Sequence, residues 1–256
     1  MTACTADWKS RTCSGFSDMH FFEKEEGGKR VDERIRAIAA HIRDGRGFID
    51  VGTDHGYLPA ALAERGYPGT ILASDIGEGP LNAARRTAAQ AGFSDRIRFL
   101  LCDGLALCPP DEVDTIVIAG LGGDTIIKIL DEAEWCMDGR YTLILQPMTK
   151  AEVVRYWLVY NEFEICCEEL VDDAGTLYQI LIARFGGETK LTDAELFAGK
   201  AALAKDRTLY RRHLDQLRMQ FDQAIRGMEK GESANSPRAR LYREILRQFD
   251  EMREEA

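Results

Sequence analysis

The chain has 256 residues, 45% of them hydrophobic, and a formal net charge of −10. That length accommodates one medium domain with an appendage, the hydrophobic share sustains a buried core, and no apolar run approaches the roughly 20 residues of a membrane span. The acidic balance excludes uniform coating of a nucleic acid but leaves room for a local basic face. Seven cysteines, at 4, 13, 102, 108, 136, 166 and 167, form no C-x-x-C pair and no cluster with histidine. A structural zinc site is therefore not expected, and reduced thiols in a cytoplasm are.

Residues 1–30 mix Ser, Thr, Gly and charges without periodicity and predict a poorly ordered tail, with Met19 as an alternative start. Asp7, Lys9, Arg11 and Asp18 interrupt it, against a secretory signal. Val31, Ile35, Ile38 and Ile42 then stripe an amphipathic helix that Gly45 stops, with Arg34 largely off the stripe. An alternation of strands and helices follows. Strands are expected at Phe48–Val51, Thr70–Ser74, Ile97–Cys102, Asp114–Ala119 and Tyr141–Leu145. Helices are expected over Leu58–Arg65, along the Leu81, Ala84, Ala88, Ala91 stripe up to Gly92, and from Asp124 to Ala133. Thr149 and Glu152 read as a capping box opening a helix striped by Val153, Trp157 and Tyr160. Continuous apolar strands separated by helices predict a parallel sheet covered on both faces.

Phe163–Leu170 and Thr176–Phe185 break the alternation, because the segment between them has no room for a crossover helix. They predict an antiparallel hairpin closing a seven-stranded sheet. Gly186–Lys190 reads as a linker, and Thr192 with Glu195 as a second capping box opening a new helix. Within that helix Tyr210, Leu214, Leu217, Phe221, Ala224 and Met228 make a heptad-like seam. A turn over Gly231–Pro237 and a returning stripe of Leu241, Ile245, Phe249 and Met252 predict an antiparallel helical pair. The boundaries are thus a tail at 1–30, an α/β domain at 31–187 and a helical appendage at 188–256.

The chemistry centres on Asp50-Val51-Gly52-Thr53-Asp54-His55-Gly56-Tyr57-Leu58-Pro59, a strand, a glycine loop and a helix start. Gly52 lets a ligand approach the backbone, but Asp54 stands where dinucleotide sites carry a second glycine, and its carboxylate would repel a pyrophosphate. It suits the ammonium, hydroxyl and amino groups of a cofactor without phosphates, S-adenosylmethionine (SAM) being the obvious candidate. Asp75, about twenty residues on, ends the second strand where a carboxylate accepts from ribose hydroxyls. Asp103-Gly104 is either an acid beside an adenine amino group or an ordinary Asp-Gly turn. His55 reads as a hydrogen-bonded loop residue or a base. Gly120-Leu121-Gly122-Gly123 is a second backbone-approach loop, and Gln146-Pro147 ends the fifth strand, where the Gln146 amide suits reading a base edge. Tyr57 and Tyr178 are candidates for stacking on that base or for packing. From Leu196 to Arg247 twelve Lys/Arg face six Asp/Glu. Arg207, Arg211, Arg212 and Arg218 share a helical face suited to phosphates, or to ion pairs of Asp215 with Arg211 or Arg212.

Asp50-Val-Gly-Thr-Asp-His-Gly-Tyr-Leu-Pro59, Ala119-Gly-Leu-Gly-Gly123 and Leu145-Gln-Pro147, in that order before a helical appendage, resemble the bacterial tRNA (adenine-N1)-methyltransferases acting on adenine 22. Three positions depart from that pattern: Gly56 for alanine, Leu121 for methionine, and Met148 for the asparagine after Leu-Gln-Pro. The resemblance implies a Rossmann-like SAM-dependent methyltransferase sheet with a coiled-coil-like appendage that helps hold tRNA, and no metal. On this reading Asp50, Gly52, Asp54, His55, Asp75, Asp103, Gly104 and Gly120 serve the cofactor; Gln146, Pro147 and Tyr57 position the base; Arg34, Arg207, Arg211, Arg212 and Arg218 meet RNA. A nicotinamide-dependent oxidoreductase and a catalytically silent tRNA-binding module are the alternatives.

Overall fold

The structure, a computed structural model, describes residues 33–201, 205–229 and 236–255. The expected tail, Met19, Val31 and most of the Gly231–Pro237 turn lie outside these residues. In chain order the elements are α1 (Glu33–His41), β1 (Gly47–Val51), α2 (Tyr57–Glu64), β2 (Thr70–Asp75), α3 (Glu78–Ala91), β3 (Ile97–Leu101) and β4 (Thr115–Gly122). There follow α4 (Gly123–Asp131), β5 (Thr142–Thr149), α5 (Ala151–Tyr160), β6 (Phe163–Asp173), β7 (Thr176–Phe185), α6 (Asp193–Ala198), α7 (Arg207–Glu229) and α8 (Pro237–Glu255).

The strands form one sheet in the order β3-β2-β1-β4-β5-β7-β6. β1 to β5 are parallel, and β7 runs antiparallel to both β5 and β6. Alternate strand residues feed opposite faces, as the two-residue period of a strand requires. Ile49, Ile116 and Leu143 pack with Ile126, Val154 and Trp157 of α4 and α5. Phe48, Val117 and Ile144 pack with Ile38, Leu58 and Leu62 of α1 and α2. The strand order reverses between β1 and β4, which places the ligand crevice at their carboxyl ends.

Four local expectations are corrected. The Gly120 segment is not a loop: β4 continues to Gly122 through a register shift at Ala119/Leu121, with Gly120 at φ 79°. The Thr149–Glu152 capping box does not form, because β5 runs to Thr149 and Lys150 turns the chain directly into α5 with φ 58° and no side-chain cap. Ile42 of the first stripe lies just past the end of α1 but stays fully buried. The appendage does not open with one long helix: α6 ends at Gly199, φ 76°, and α7 starts afresh at Arg207. The Thr192–Glu195 capping box is present with both of its hydrogen bonds. The linker is pinned, since Thr189 accepts from the Ile165 amide at 2.8 Å.

Gly56 caps α2 at φ 69°, and a Cβ placed there would lie 2.7 Å from the Ala84 Cβ and 2.9 Å from its Cα. Strain in the left-handed region and overpacking against α3 act together. Gly56→Ala is expected to lose about 1–3 kcal/mol, read by urea denaturation, and a companion Ala84→Gly change should recover part of it. An unchanged midpoint would show that α3 gives way freely.

The appendage has its own core of Ala194, Ala198, Tyr210, Leu214, Phe221, Ile245 and Phe249; against the expected stripes, Ile225 is buried in place of Ala224 and Leu241 is 43% exposed. It joins the sheet through a buried polar knot. Arg155 of α5, 2% exposed, donates to Glu168 Oε1 at 2.6 Å, to Gln179 Oε1 at 2.6 Å and to the carbonyls of Leu196 and Phe197 at 2.9 and 3.1 Å. The other Glu168 oxygen accepts from the Lys200 amide at 2.9 Å. His213 of α7 is buried close by; desolvation, and then the Arg155 charge, push it down to about 4, so it stays neutral.

Candidate active site at the carboxyl ends of β1, β2, β4 and β5

The loop after β1 is tied to β2. The Gly52 and Thr53 amides both donate to the Ser74 carbonyl, at 2.8 and 3.0 Å, and the Gly56 amide donates to the Thr53 carbonyl at 2.8 Å. The Gly52 and Thr53 amides are therefore committed within the fold. Gly52 takes φ 75°, and a Cβ there would come 3.5 Å from the Leu121 methyls, so the Leu121 side chain of β4 lies beside the Gly52 backbone.

Asp50 is the penultimate residue of β1, 6% exposed, with the Thr53 hydroxyl donating to Oδ2 at 2.7 Å. Burial raises its pKa from 3.8 to about 6, the Thr53 hydrogen bond and the Arg34 charge counter this, and the Asp75 charge adds to it. Asp75 holds the Gly77 amide on Oδ1 at 2.8 Å, which fixes the turn after β2. Asp54 stands in the left-handed region at φ 44° with its side chain 70% exposed, 3.5 Å from His55 Nε2. The His55 ring stacks on Tyr57, centroids 5.5 Å apart. Asp103 is exposed and paired with Lys128 at 3.2 Å. Gly104, at φ 53°, turns its carbonyl to the Ser74 hydroxyl at 3.4 Å.

The β4–β5 side of the crevice is built on Gln146, which is fully buried. Its Oε1 accepts from Arg34 at 2.7 Å and from the Gly120 amide at 3.1 Å, while Nε2 donates to the Pro147 carbonyl at 3.0 Å. Both lone pairs of the amide oxygen are thus used by the protein, so Gln146 props the site instead of offering an acceptor to a base. Pro147 is buried and Met148 is 49% exposed beside it.

Sequence reasoning brought Asp50, Gly52, Asp75, Gly120 and Gln146 to one edge, and the structure places them there. It did not single out Ile76, 72% exposed next to Asp75, an apolar surface suited to a flat heteroaromatic ring. An isoleucine in an otherwise polar strand-end turn was the available signal. Lys128, the partner of Asp103, carried none.

Three of the α7 arginines are engaged within the protein. Arg212 pairs with Asp172 and donates to the Gly175 carbonyl at 2.6 Å, Arg218 pairs with Asp250 at 2.7 Å, and Arg207 donates to the Glu255 carbonyl at 2.8 Å. Asp215 pairs with Arg253 of α8 at 2.8 Å, not with Arg211 or Arg212, because the helical pair brings that carboxylate to the facing helix. Arg211 is exposed.

The residues fit a cationic, phosphate-free cofactor. Asp50, Asp54 and Asp75 set negative charge around the crevice, and a buried carboxylate with a raised pKa is stabilised by an incoming cation. The same field repels a dinucleotide pyrophosphate. Among the described residues no group of histidines, cysteines and carboxylates is arranged for a metal ion, and no helix is long and apolar enough to cross a membrane.

Comparison with known proteins agrees with this geometry. The methyltransferase domain family matches residues 31–181. The chain is 31% identical over 157 residues to the tRNA (adenine(22)-N(1))-methyltransferase of Bacillus subtilis, covering 61% of this chain and 66% of that relative. It is 30% identical over 175 residues to a relative from Mycoplasma pneumoniae, 66% of this chain and 79% of that one. A Streptococcus pneumoniae protein solved in complex with S-adenosyl-L-methionine superposes with a TM-score of 0.73 at 27% identity, over 86% of this chain and 98% of its own. The chain belongs to the methyltransferase domain family and, within it, to the tRNA (adenine(22)-N(1))-methyltransferases.

Proposed function

We propose that the protein is a SAM-dependent enzyme that methylates N1 of an adenine in tRNA, at position 22, in the cytoplasm. The observation that carries this reading is the carboxylate-lined crevice of Asp50, Asp54 and Asp75 opening beside the Gly120–Gln146–Pro147 edge, in a chain of this family. SAM supplies an electrophilic methyl group on a sulfonium.

The protein's part is placement. Adenine N1 carries a lone pair and loses no proton, so no general base is required, and in-line approach at about 3–3.5 Å is the main demand. Asp75 suits the ribose hydroxyls, Ile76 the adenine face, and Asp50 and Asp54 the cationic end of the cofactor. Backbone carbonyls at the β4 and β5 ends stabilise positive charge as it moves to the base. The target base must leave its stack to reach this edge, at about a few kcal/mol. We assign cofactor binding to 31–187 and RNA holding to 188–256. Arg211 offers phosphates an exposed guanidinium on α7, and Arg207, Arg212 and Arg218 extend that face where RNA phosphates exchange with their present partners.

The test uses labelled SAM and tRNA transcripts carrying adenine or guanine at position 22, with nucleoside mass spectrometry as the readout. N1-methyladenosine in the adenine transcript alone is the expected result. SAM binding without transfer to either transcript would point to another acceptor, and absence of SAM binding would overturn the reading.

A further inference from the structure

β5 and β7 part company at the site. Their last paired residues are Leu145 and Leu181; beyond these, β5 continues through Gln146 to Thr149 against β4 alone, and β7 continues from Ile180 back to Thr176 against β6 alone. A notch therefore opens in the sheet beside the acceptor edge, and Arg34 of α1 reaches it. Its guanidinium lies over the Tyr178 ring of β7, 5.4 Å from the centroid, and donates to Gln146 Oε1 of β5 at 2.7 Å. A Cβ on Gly120 of β4 would come 3.2 Å from the same guanidinium. One side chain thus contacts or abuts three strands exactly where the sheet ceases to hold itself.

We infer that Arg34 is a positioning residue for methyl transfer, resting on the acceptor-edge assignment above: it locks the Gln146 amide and, through it, the Gly120 bulge and the Pro147 carbonyl. The amide has only one orientation that satisfies these partners. With Oε1 held by the cation and by the Gly120 amide, Nε2 must face the Pro147 carbonyl at 3.0 Å. Flipping it would set Nε2 against two donors. Arg34 therefore acts through the scaffold and not on an RNA phosphate.

Arg34 also bears on Asp50. The groups that set the charge of Asp50 are its burial, the Thr53 hydroxyl, Arg34 from α1 and Asp75 from β2, and Arg34 favours the ionised form. Removing it moves the protonation of Asp50 further upward.

The experiment compares wild type, Arg34→Ala, Arg34→Lys, Gln146→Ala and the Arg34→Ala/Gln146→Ala double variant in the tRNA methylation assay, first at about pH 8, where Asp50 is ionised in the wild type. Arg34→Ala should lower kcat roughly 100-fold, the scale of a 1 Å misplacement, with the KM for tRNA nearly unchanged. Arg34→Lys should recover part of the loss, and the double variant should be little worse than either single one, because both remove the same contact. The pH midpoint of SAM binding should lie higher in Arg34→Ala than in wild type. A raised tRNA KM with intact kcat and a salt slope shallower by about 1 would make Arg34 a phosphate contact and overturn the inference. Full activity per folded molecule with a lower Tm, or additive losses in the double variant, would overturn it equally. An inactive wild type would instead indict the proposed reaction.

Discussion

Arg155→Met is expected to lose about 3–5 kcal/mol of stability, the largest effect of any single change proposed for this protein, because it strands Glu168 as a buried charge. Glu168 is 7% exposed, and its other oxygen accepts from the Lys200 amide, a neutral donor at 2.9 Å. The change also frees Gln179 Oε1 and the Leu196 and Phe197 carbonyls, all held now by one guanidinium. Urea denaturation measures the loss. Arg155→Met combined with Glu168→Leu should be more stable than Arg155→Met alone, since the stranded charge disappears while the orphaned carbonyls remain. A loss below about 1 kcal/mol in the single variant would mean that water reaches the knot and the pair is effectively exposed.

Asp50→Asn is expected to stabilise the protein while crippling it. The folded-state pKa of about 6 exceeds the ordinary 3.8, so between these values the folded protein keeps a proton that the unfolded chain releases. Stability contributed by this group therefore falls as pH rises through that window, and above it the ionised carboxylate costs roughly 3 kcal/mol. An asparagine retains an oxygen for the Thr53 hydroxyl and carries no charge to desolvate. Its advantage over wild type should be full near neutral pH and vanish below about pH 4. On the proposed placement of the cofactor's cationic end beside Asp50, SAM affinity should fall by at least about tenfold, the equivalent of 1.4 kcal/mol. Denaturation at several pH values and calorimetric SAM titration read the two effects. Equal stability of both proteins across the range would show that Asp50 is not desolvated.

Much of this was legible in the chain. Runs such as Phe48–Val51 and Tyr141–Leu145 are apolar on both faces because helices cover both faces, and the short span between Phe163–Leu170 and Thr176–Phe185 permits only a hairpin. The grouping of Asp50, Asp54 and Asp75 at one crevice was readable because strand ends and a glycine loop fix where they stand. What failed to show were long-range partnerships. Gln146 has the chemistry of a base reader, but Arg34, from 112 residues away, and the Gly120 amide together consume its oxygen. Thr149 and Glu152 carry a valid capping pattern, which loses to the pairing of β5 with β4 as far as Thr149 and Gly122. Asp215 sits within helical reach of Arg211 and Arg212 yet pairs across the interface with Arg253.

The parting of β5 from β7 has a mechanical side. The hairpin halves belong to different bodies: Leu181–Arg184 are woven into the seven-stranded sheet, whereas the distal end, at Asp172 and Gly175, is grasped by Arg212 of α7. The hairpin is therefore held at both ends, by the sheet as far as Leu145–Leu181 and by the helical pair at Asp172 and Gly175. Load on the outer helices by a bulky substrate would be transmitted to the acceptor edge without disturbing the strands that carry Asp50 and Asp75.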